Sequence, residues 1–203
     1  MSSNPDPAPT GVDWEARFRA DDAPWERAGL HPAFQAWAEA GVLSDGARIF
    51  IPGCGRGAEV VEAARLGLDV AALDLSGTAI AWQGEHLDQA GLKAELVVGD
   101  GLAWRPTEPF DLVYEQTFLC AIQPGQRGDY EAMAQAVLRP GGKLLALFMQ
   151  KQERGGPPYG CDLDAMRALF APTRWSWPDV EPRAFPHPGL DDLAELAIVL
   201  TRR

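Results

Sequence analysis

Between residues 48 and 148, short apolar runs alternate with segments whose apolar residues recur at helical spacing. This alternation is typical of a parallel sheet covered by helices, because parallel strands need a crossover that returns the chain to the same end of the sheet. The sequence therefore predicts an α/β, Rossmann-like fold with a mainly parallel sheet and helices on both faces. The predicted strands are 48–51, 69–73, 94–98, 110–115, 142–148 and 193–200. The predicted helices are 13–20, 32–40, 58–66, 76–90, 129–138 and 162–170.

Composition limits the number of domains and the kinds of partner. With 203 residues, 46% of them apolar, the chain can build one sizeable core, so we expect a single domain, 13–203, after a disordered tail, 1–12. The net charge of -11 repels phosphate backbones and anionic membranes, so neither nucleic acid nor a membrane is an expected partner. The three cysteines and three histidines lack the spacing of a disulfide framework or a metal site. A cytoplasmic protein without a metal is the expectation.

A glycine-rich loop follows the first predicted strand, in the sequence IFIPGCGRG (49–57). It lies at the carboxyl end of that strand, where open α/β sheets bind their ligands. Glycine lets a ligand approach the backbone closely and permits positive φ angles. The spacing Gly53-x-Gly55-x-Gly57 misses the dinucleotide pattern of NAD enzymes by one residue. Taken alone, the loop is also compatible with a purely structural turn.

Two aspartates follow the next strands at the same predicted edge of the sheet. Asp74 ends the second strand, where a carboxylate can accept hydrogen bonds from both hydroxyls of a ribose. Asp100, in the sequence Gly-Asp-Gly, follows the third strand, where its side chain and neighbouring N–H groups could contact an adenine. These positions favour a nucleoside ligand. A turn or helix-capping role is the structural alternative for Asp74.

Together with the sequence RPGG (139–142) before the fifth main strand, these features resemble class I S-adenosylmethionine-dependent methyltransferases. A closer resemblance is to the thiopurine S-methyltransferase family, in particular its halide and thiol methyltransferase branch. It is carried by WEARFRADDAPWERAG (14–29), YEQTFLCAIQP (114–124) and GGPPY (155–159), and it extends from residue 13 to about 165. The resemblance implies a mainly parallel seven-stranded sheet and the cofactor S-adenosyl-L-methionine. It also implies methyl transfer to a small soft nucleophile, such as a thiol, a thiopurine-like compound or a halide.

The resemblance further implies which residues contact the cofactor. An N-terminal helical lid, 13–45, would cover it. The implied contacts are Gly53 and Gly55 at the methionine portion, Asp74 at the ribose, Asp100 and Gly101 beside the adenine, and Trp14 and Trp25 in the lid. One departure affects the lid, because this chain has Phe18 where the family often has tryptophan.

On the acceptor side, the resemblance places Gln116 where it would face both cofactor and acceptor, and Arg127 where it would stabilise an anionic acceptor. Few catalytic groups are expected, since a sulfonium methyl group is already activated and its transfer mainly requires orientation and exclusion of water. Three alternatives remain at this stage. They are an NAD-dependent oxidoreductase, a non-catalytic protein that binds S-adenosylmethionine, and a methyltransferase acting on oxygen, nitrogen or carbon.

Overall fold

A computed structural model describes residues 11–151, 155–187 and 194–203. Residues 1–10 of the predicted tail, and residue 193 of the last predicted strand, lie outside the described residues. The helices are α1 (Trp14–Arg19), α2 (Pro32–Glu39), α3 (Glu59–Arg65), α4 (Gly77–Ala90), α5 (Arg127–Val137) and α6 (Leu163–Leu169). The strands are β1 (Arg48–Pro52), β2 (Asp69–Asp74), β3 (Glu95–Val98), β4 (Phe110–Glu115), β5 (Leu138–Gln150), β6 (Trp175–Ser176), β7 (Arg183–Pro186) and β8 (Ala194–Arg202).

The strands form one sheet in the order β3-β2-β1-β4-β5-β8-β6, with β7 also paired to β8. The first five strands of this order are parallel, and β8 runs antiparallel to β5. The predicted mainly parallel α/β fold is confirmed, but the expected count of seven strands is wrong, because the described residues form eight. The additional strands β6 and β7 are two and four residues long, too short to show a periodic pattern. They pair with opposite ends of β8.

The helix boundaries follow local capping chemistry. The Ser76 hydroxyl accepts a hydrogen bond from the N–H of Ala79 at the start of α4, and Gly91 ends that helix with φ of 66°. The predicted turn at 139–141 lies within β5 as an irregularity, where the register with β4 shifts between Phe110 and Leu112.

Apolar side chains cover both faces of the sheet. One cluster includes Phe110, Met133 and Phe148, and the other includes Phe34, Val60 and Leu145. Since β1, β2 and β4 are parallel neighbours, their carboxyl ends meet at one edge of the sheet. The glycine loop, Asp74 and the residues after Glu115 are therefore brought together there.

Candidate active site

A cavity of about 420 Å³ lies at this edge of the sheet. Its size is within the range of small-molecule sites. Predicted site residues that line it are Trp14, Trp25, Gly53, Gly55, Asp74, Asp100 and Gln116. Gly101 and Arg127 do not line it. The fold thus brings together residues from the lid, the glycine loop and the ends of β2, β3 and β4.

The glycine loop ends β1 at Pro52 and turns the chain. Gly53 and Gly55 have φ angles of 61° and 49°, which side chains on L-residues disfavour. A Cβ at Gly53 would lie 2.4 Å from Cδ2 of Phe118. The Gln83 amide donates hydrogen bonds to the carbonyl oxygens of Gly55 (3.0 Å) and Gly57 (2.9 Å), so α4 fixes the loop from below. The result is a compact backbone surface open to the cavity.

Asp74 connects the loop to the end of β2. Its carboxylate, only 7% exposed, accepts hydrogen bonds from the N–H groups of Gly55 (2.8 Å, to Oδ2) and Ser76 (2.9 Å, to Oδ1). Burial raises the pKa of Asp74, while these two N–H groups favour its ionised form and oppose that rise. A carboxylate has about four lone-pair positions, so each oxygen keeps one for a ligand. The contact with two ribose hydroxyls predicted for Asp74 needs two such positions, and it stays a prediction.

In the sequence Gly-Asp-Gly after β3, Asp100 lines the cavity and Gly101 is buried beneath it. Asp100 lines the cavity, and its Oδ1 accepts a hydrogen bond from the N–H of Leu102 at 2.9 Å. Gly101 is buried, and a Cβ there would lie 3.2 Å from Cζ of Phe118 and 3.5 Å from Cδ2 of Leu73. Gly101 therefore permits close packing under the cavity wall.

Gln116 lies at the carboxyl end of β4, near the centre of the sheet. The hydroxyl of buried Tyr114 donates a hydrogen bond to Oε1 of Gln116 at 2.7 Å, and burial raises the pKa of Tyr114 well above its ordinary value, so this donor is protonated. The bond orients the amide, and within the described residues Nε2 of Gln116 donates no hydrogen bond to protein. The next residue, Thr117, has φ of 59°, an uncommon angle for a β-branched residue. This turn brings the chain around the cavity.

The first part of the predicted lid, α1 and the turn after it, contains an aromatic cluster. The rings of Trp14 and Phe18 each pack edge-on against Trp25, with centroid distances of 5.4 and 5.9 Å. All three rings line the cavity. By contrast, α2 packs Phe34, fully buried, against the core. Of the predicted lid, 13–45, the residues that line the cavity lie between Trp14 and Gly29, and α2 packs on the sheet. That this segment acts as a lid stays a prediction.

Two carboxylates, those of Glu15 and Glu26, connect this N-terminal segment to the rest of the site. The carboxylate of Glu15 accepts hydrogen bonds from the Ser76 hydroxyl (2.5 Å) and from both the N–H (3.1 Å) and the hydroxyl (2.8 Å) of Thr78. These bonds, the one from Ser76 first, lower the pKa of Glu15 to about 2. On the other side, Arg56 in the glycine loop forms a bidentate pair with Glu26, with both distances 2.7 Å.

Arg127 lies away from the cavity lining. Its Nη2 donates hydrogen bonds to the carbonyl oxygens of Gly160 (2.8 Å) and Tyr159 (3.4 Å), and it contacts Sγ of Cys161 at 3.3 Å. Arg127 thus braces the segment that follows Pro157 and Pro158, and those two prolines do line the cavity. Helix α5 begins at Arg127, so the predicted start at residue 129 is two residues late. The role predicted for Arg127 as an anion-stabilising group stays a prediction.

A different arginine lines the cavity, and sequence reasoning missed it. Arg27, which follows the aromatic cluster, donates from Nη2 to the carbonyl oxygen of Pro186 (2.6 Å) and to the carboxylate of Glu195 (2.9 Å). His31 also contacts that carboxylate, with 2.9 Å between Nε2 and Oε2. No local sequence pattern reveals this cluster, because Arg27 and His31 lie more than 150 residues before Pro186 and Glu195.

Comparisons with known proteins agree with this arrangement. The sheet order and the position of the cavity define a class I methyltransferase fold, and a solved Burkholderia thailandensis 1,6-didemethyltoxoflavin-N1-methyltransferase has the same fold, with a TM-score of 0.74 at 18% identity over 92% of this chain and 84% of that one. That structure contains S-adenosylhomocysteine. The family profile "Thiopurine S-methyltransferase (TPMT)" matches residues 10–188, so the chain belongs to the thiopurine S-methyltransferase family.

Two relatives from Arabidopsis thaliana support the same family. The chain is 33% identical to "Probable thiol methyltransferase 2" over 162 residues, which are 78% of this chain and 71% of the relative. It is also 33% identical to "Thiocyanate methyltransferase 1" over 179 residues, which are 85% of this chain and 78% of the relative. The family predicted from the sequence is therefore confirmed.

The structure also bears on membranes and metals. No helix in the described ranges has the length and apolar character to span a bilayer. Within the same ranges, no three His, Cys, Asp or Glu side chains are grouped so that they could hold a metal ion.

Proposed function

We propose that this protein transfers a methyl group from S-adenosyl-L-methionine to a small soft nucleophile, such as a thiol, a thiopurine-like compound or a halide. The observation that carries the proposal is the fit of the cavity to a nucleoside cofactor. Asp74 offers one acceptor position on each oxygen beside a glycine backbone that a Cβ at residue 53 would disrupt. Membership in the thiopurine S-methyltransferase family supports the same cofactor.

Each predicted cofactor residue has a role in this proposal. The Asp74 carboxylate binds the ribose hydroxyls, the loop at Gly53 and Gly55 lies against the amino-acid portion, and Asp100, above the buried Gly101, borders the adenine. Trp14 and Trp25 cover the cofactor from the lid. Bound S-adenosylmethionine supplies a methyl group that is already activated, so the task of the protein is to orient the reactants and exclude water.

Gln116 is placed to assist at the centre of the site. Because the Tyr114 hydroxyl occupies its Oε1, its amide is held with Nε2 available as a donor to a bound molecule. A residue at the end of β4 borders both the cofactor side, formed by β1 and β2, and the opposite side, formed by β5 and β8. We therefore assign Gln116 an orienting role rather than proton transfer.

The acceptor is small because one cavity of about 420 Å³ has to hold it together with the cofactor. The walls away from Asp74 include Ile122, Met149, Pro157 and Pro158, which are apolar and suit a polarisable nucleophile. The relatives named for thiol and thiocyanate methylation favour a soft acceptor. The net charge of -11 and the three buried free thiols also support a cytoplasmic protein that acts on free small molecules and not on nucleic acid.

Calorimetry followed by a turnover assay tests the proposal. S-adenosylmethionine and S-adenosylhomocysteine should bind in the micromolar range, and NADH should not bind. Addition of thiols, iodide, thiocyanate or hydrosulfide to the complex with S-adenosylmethionine should release S-adenosylhomocysteine. Binding of NADH alone would instead indicate an oxidoreductase. Cofactor binding without turnover on any acceptor would indicate a non-catalytic binding protein.

A further inference from the structure

Arg27 differs from the other two arginines that line the cavity. Arg56 uses Nε and Nη2 in its bidentate pair with Glu26, and Arg17 uses Nε and Nη2 for the backbone oxygen and carboxylate of Asp22. Arg27 donates only from Nη2 to described residues. Its side chain is nonetheless only 15% exposed. Three of its five N–H groups, those on Nε and Nη1, donate to none of the described residues and can bind a small molecule in the cavity.

The environment of Arg27 holds it in place. Nη2 is fixed between the carbonyl oxygen of Pro186 and Oε2 of Glu195, a carboxylate that is 1% exposed. Burial alone would raise the pKa of Glu195, but hydrogen bonds from His31 and Arg27 outweigh it and lower that pKa, so Glu195 is ionised at neutral pH. An ionised partner on one side of the guanidinium orients its remaining donors without consuming them.

The position of Arg27 separates it from the predicted cofactor contacts. Glu195 on β8 faces Met149 on β5 in register, whereas Asp74 ends β2. Three strands, β1, β4 and β5, lie between β2 and β8, which corresponds to about 19 Å at the usual strand spacing. Gln116, at the end of β4, lies between the two ends. Arg27 is thus anchored on the β8 side of the cavity wall, and none of its hydrogen bonds to the described residues goes to the glycine loop or to Asp74.

Resting on the methyl transfer proposed above, we infer that Arg27 binds the acceptor in its anionic form. The donors on Nε and Nη1 hold a small soft anion beside Met149, Pro157 and Pro158. A guanidinium is weakly hydrated and spreads its charge, which suits a large polarisable anion better than a strongly hydrated one. In this account the site selects thiolate, thiocyanate or iodide, and the positive charge of Arg27 offsets the cost of removing the anion from water.

Thiocyanate is the probe that tests this inference, titrated by calorimetry into protein saturated with S-adenosylhomocysteine. Arg27→Gln should weaken thiocyanate binding by roughly tenfold or more, and Arg27→Lys should weaken it less because the charge remains. The affinity for S-adenosylhomocysteine should stay within roughly twofold of wild type, since Arg27 is anchored to Pro186 and Glu195 and makes no contact with Asp74. The KM for thiocyanate in methyl transfer should rise in parallel.

Two further variants separate anion binding from loss of structure. The double variant Arg27→Gln/Glu195→Gln removes the buried charge left by the single change, so it should fold well and still bind thiocyanate weakly. Arg174→Gln is the matched control, because Arg174 also pairs with a buried carboxylate, that of Glu131, but does not line the cavity. Its thiocyanate affinity should equal that of wild type.

Each other outcome overturns the inference. Unchanged thiocyanate affinity in folded Arg27→Gln, or recovery in the double variant, would show that Arg27 has only a structural role. An equal loss of S-adenosylhomocysteine affinity would place Arg27 on the cofactor. If the wild-type protein methylates only neutral acceptors such as dimethyl sulfide, the anion site is wrong while the proposed methyltransferase function stands. If the wild-type protein binds no S-adenosylhomocysteine, it is the proposed function that fails.

Discussion

Replacement of Asp74 by asparagine tests the assignment of the ribose site most sharply. The carboxylate accepts one backbone N–H on each oxygen, from Gly55 and Ser76, and keeps one acceptor position on each. Asparagine has a single acceptor oxygen, so one ribose hydrogen bond is lost and the other loses its charge. A hydrogen bond to a charged group is worth about 1.5–3 kcal/mol, so Asp74→Asn should weaken S-adenosylmethionine binding by about 2 kcal/mol, or roughly 30-fold. Asp74→Ala should cost about 2–4 kcal/mol.

The same change also costs stability, which the experiment has to control. The asparagine NH₂ group would face one of the two backbone N–H groups, at a cost of about 2 kcal/mol in the free energy of unfolding. Circular dichroism melts therefore accompany the calorimetric titration at a temperature where the variant is folded. Asp111→Asn is the control, because the Asp111 carboxylate also accepts a hydrogen bond from a backbone N–H, that of Arg48. Asp111 lies at the amino end of β4, whereas the cavity lies at the carboxyl end. A folded Asp74→Asn variant with wild-type affinity would refute the ribose assignment.

Four other changes and one hydrogen-exchange experiment have defined outcomes. Gly55→Val should reduce cofactor affinity at least as much as Asp74→Ala in a titration, because φ is 49° and a Cβ would lie 3.3 Å from Phe18. Removal of residues 1–12 should leave activity nearly intact, whereas removal of 1–26 should weaken cofactor binding. We also expect the predicted lid to be mobile without ligand, so in the full chain amides 13–26 should gain protection from hydrogen exchange when the cofactor is added. Full protection without ligand would contradict this. Burial raises the pKa of Glu115 from 4.5 to about 7, so the folded protein binds the carboxyl proton more tightly than the unfolded chain does. The stabilisation from this proton is complete below pH 4.5 and is lost as pH rises through 7. In denaturant titrations, the free energy of unfolding should fall between pH 5 and pH 8 by about 2–3 kcal/mol less in Glu115→Gln than in wild type. An equal fall in both proteins would contradict the raised pKa of Glu115.

Local patterns were sufficient for the centre of the fold. The first four strands, the glycine loop and Asp74 were predicted because strand burial, turn chemistry and helix capping act over a few neighbouring residues. The predicted start of α4 is an example, since the Ser76 hydroxyl caps it through Ala79. The positive φ angles expected in the loop are present at Gly53 and Gly55.

Long-range contacts account for what the sequence did not reveal. Strands β6 and β7 depend on pairing with β8, and their few residues carry no period of their own. The contact of Arg27 with Glu195 spans 168 positions, so it exists only once β8 is placed in the sheet. Arg127 was assigned to the acceptor by resemblance, yet its guanidinium binds the carbonyl oxygens of Tyr159 and Gly160. A segment pattern can identify such an arginine, but it does not specify the direction of its side chain.

The most direct test of the central claim follows the methyl group itself. The purified protein is incubated with S-adenosylmethionine carrying a trideuterated methyl group and, separately, with thiols, thiocyanate, hydrosulfide and iodide, and the products are identified by mass spectrometry. We expect the label on sulfur or iodine, with one S-adenosylhomocysteine formed for each methylated product. Label found only on oxygen, nitrogen or carbon acceptors, or no transfer by a protein that binds the cofactor, would contradict it.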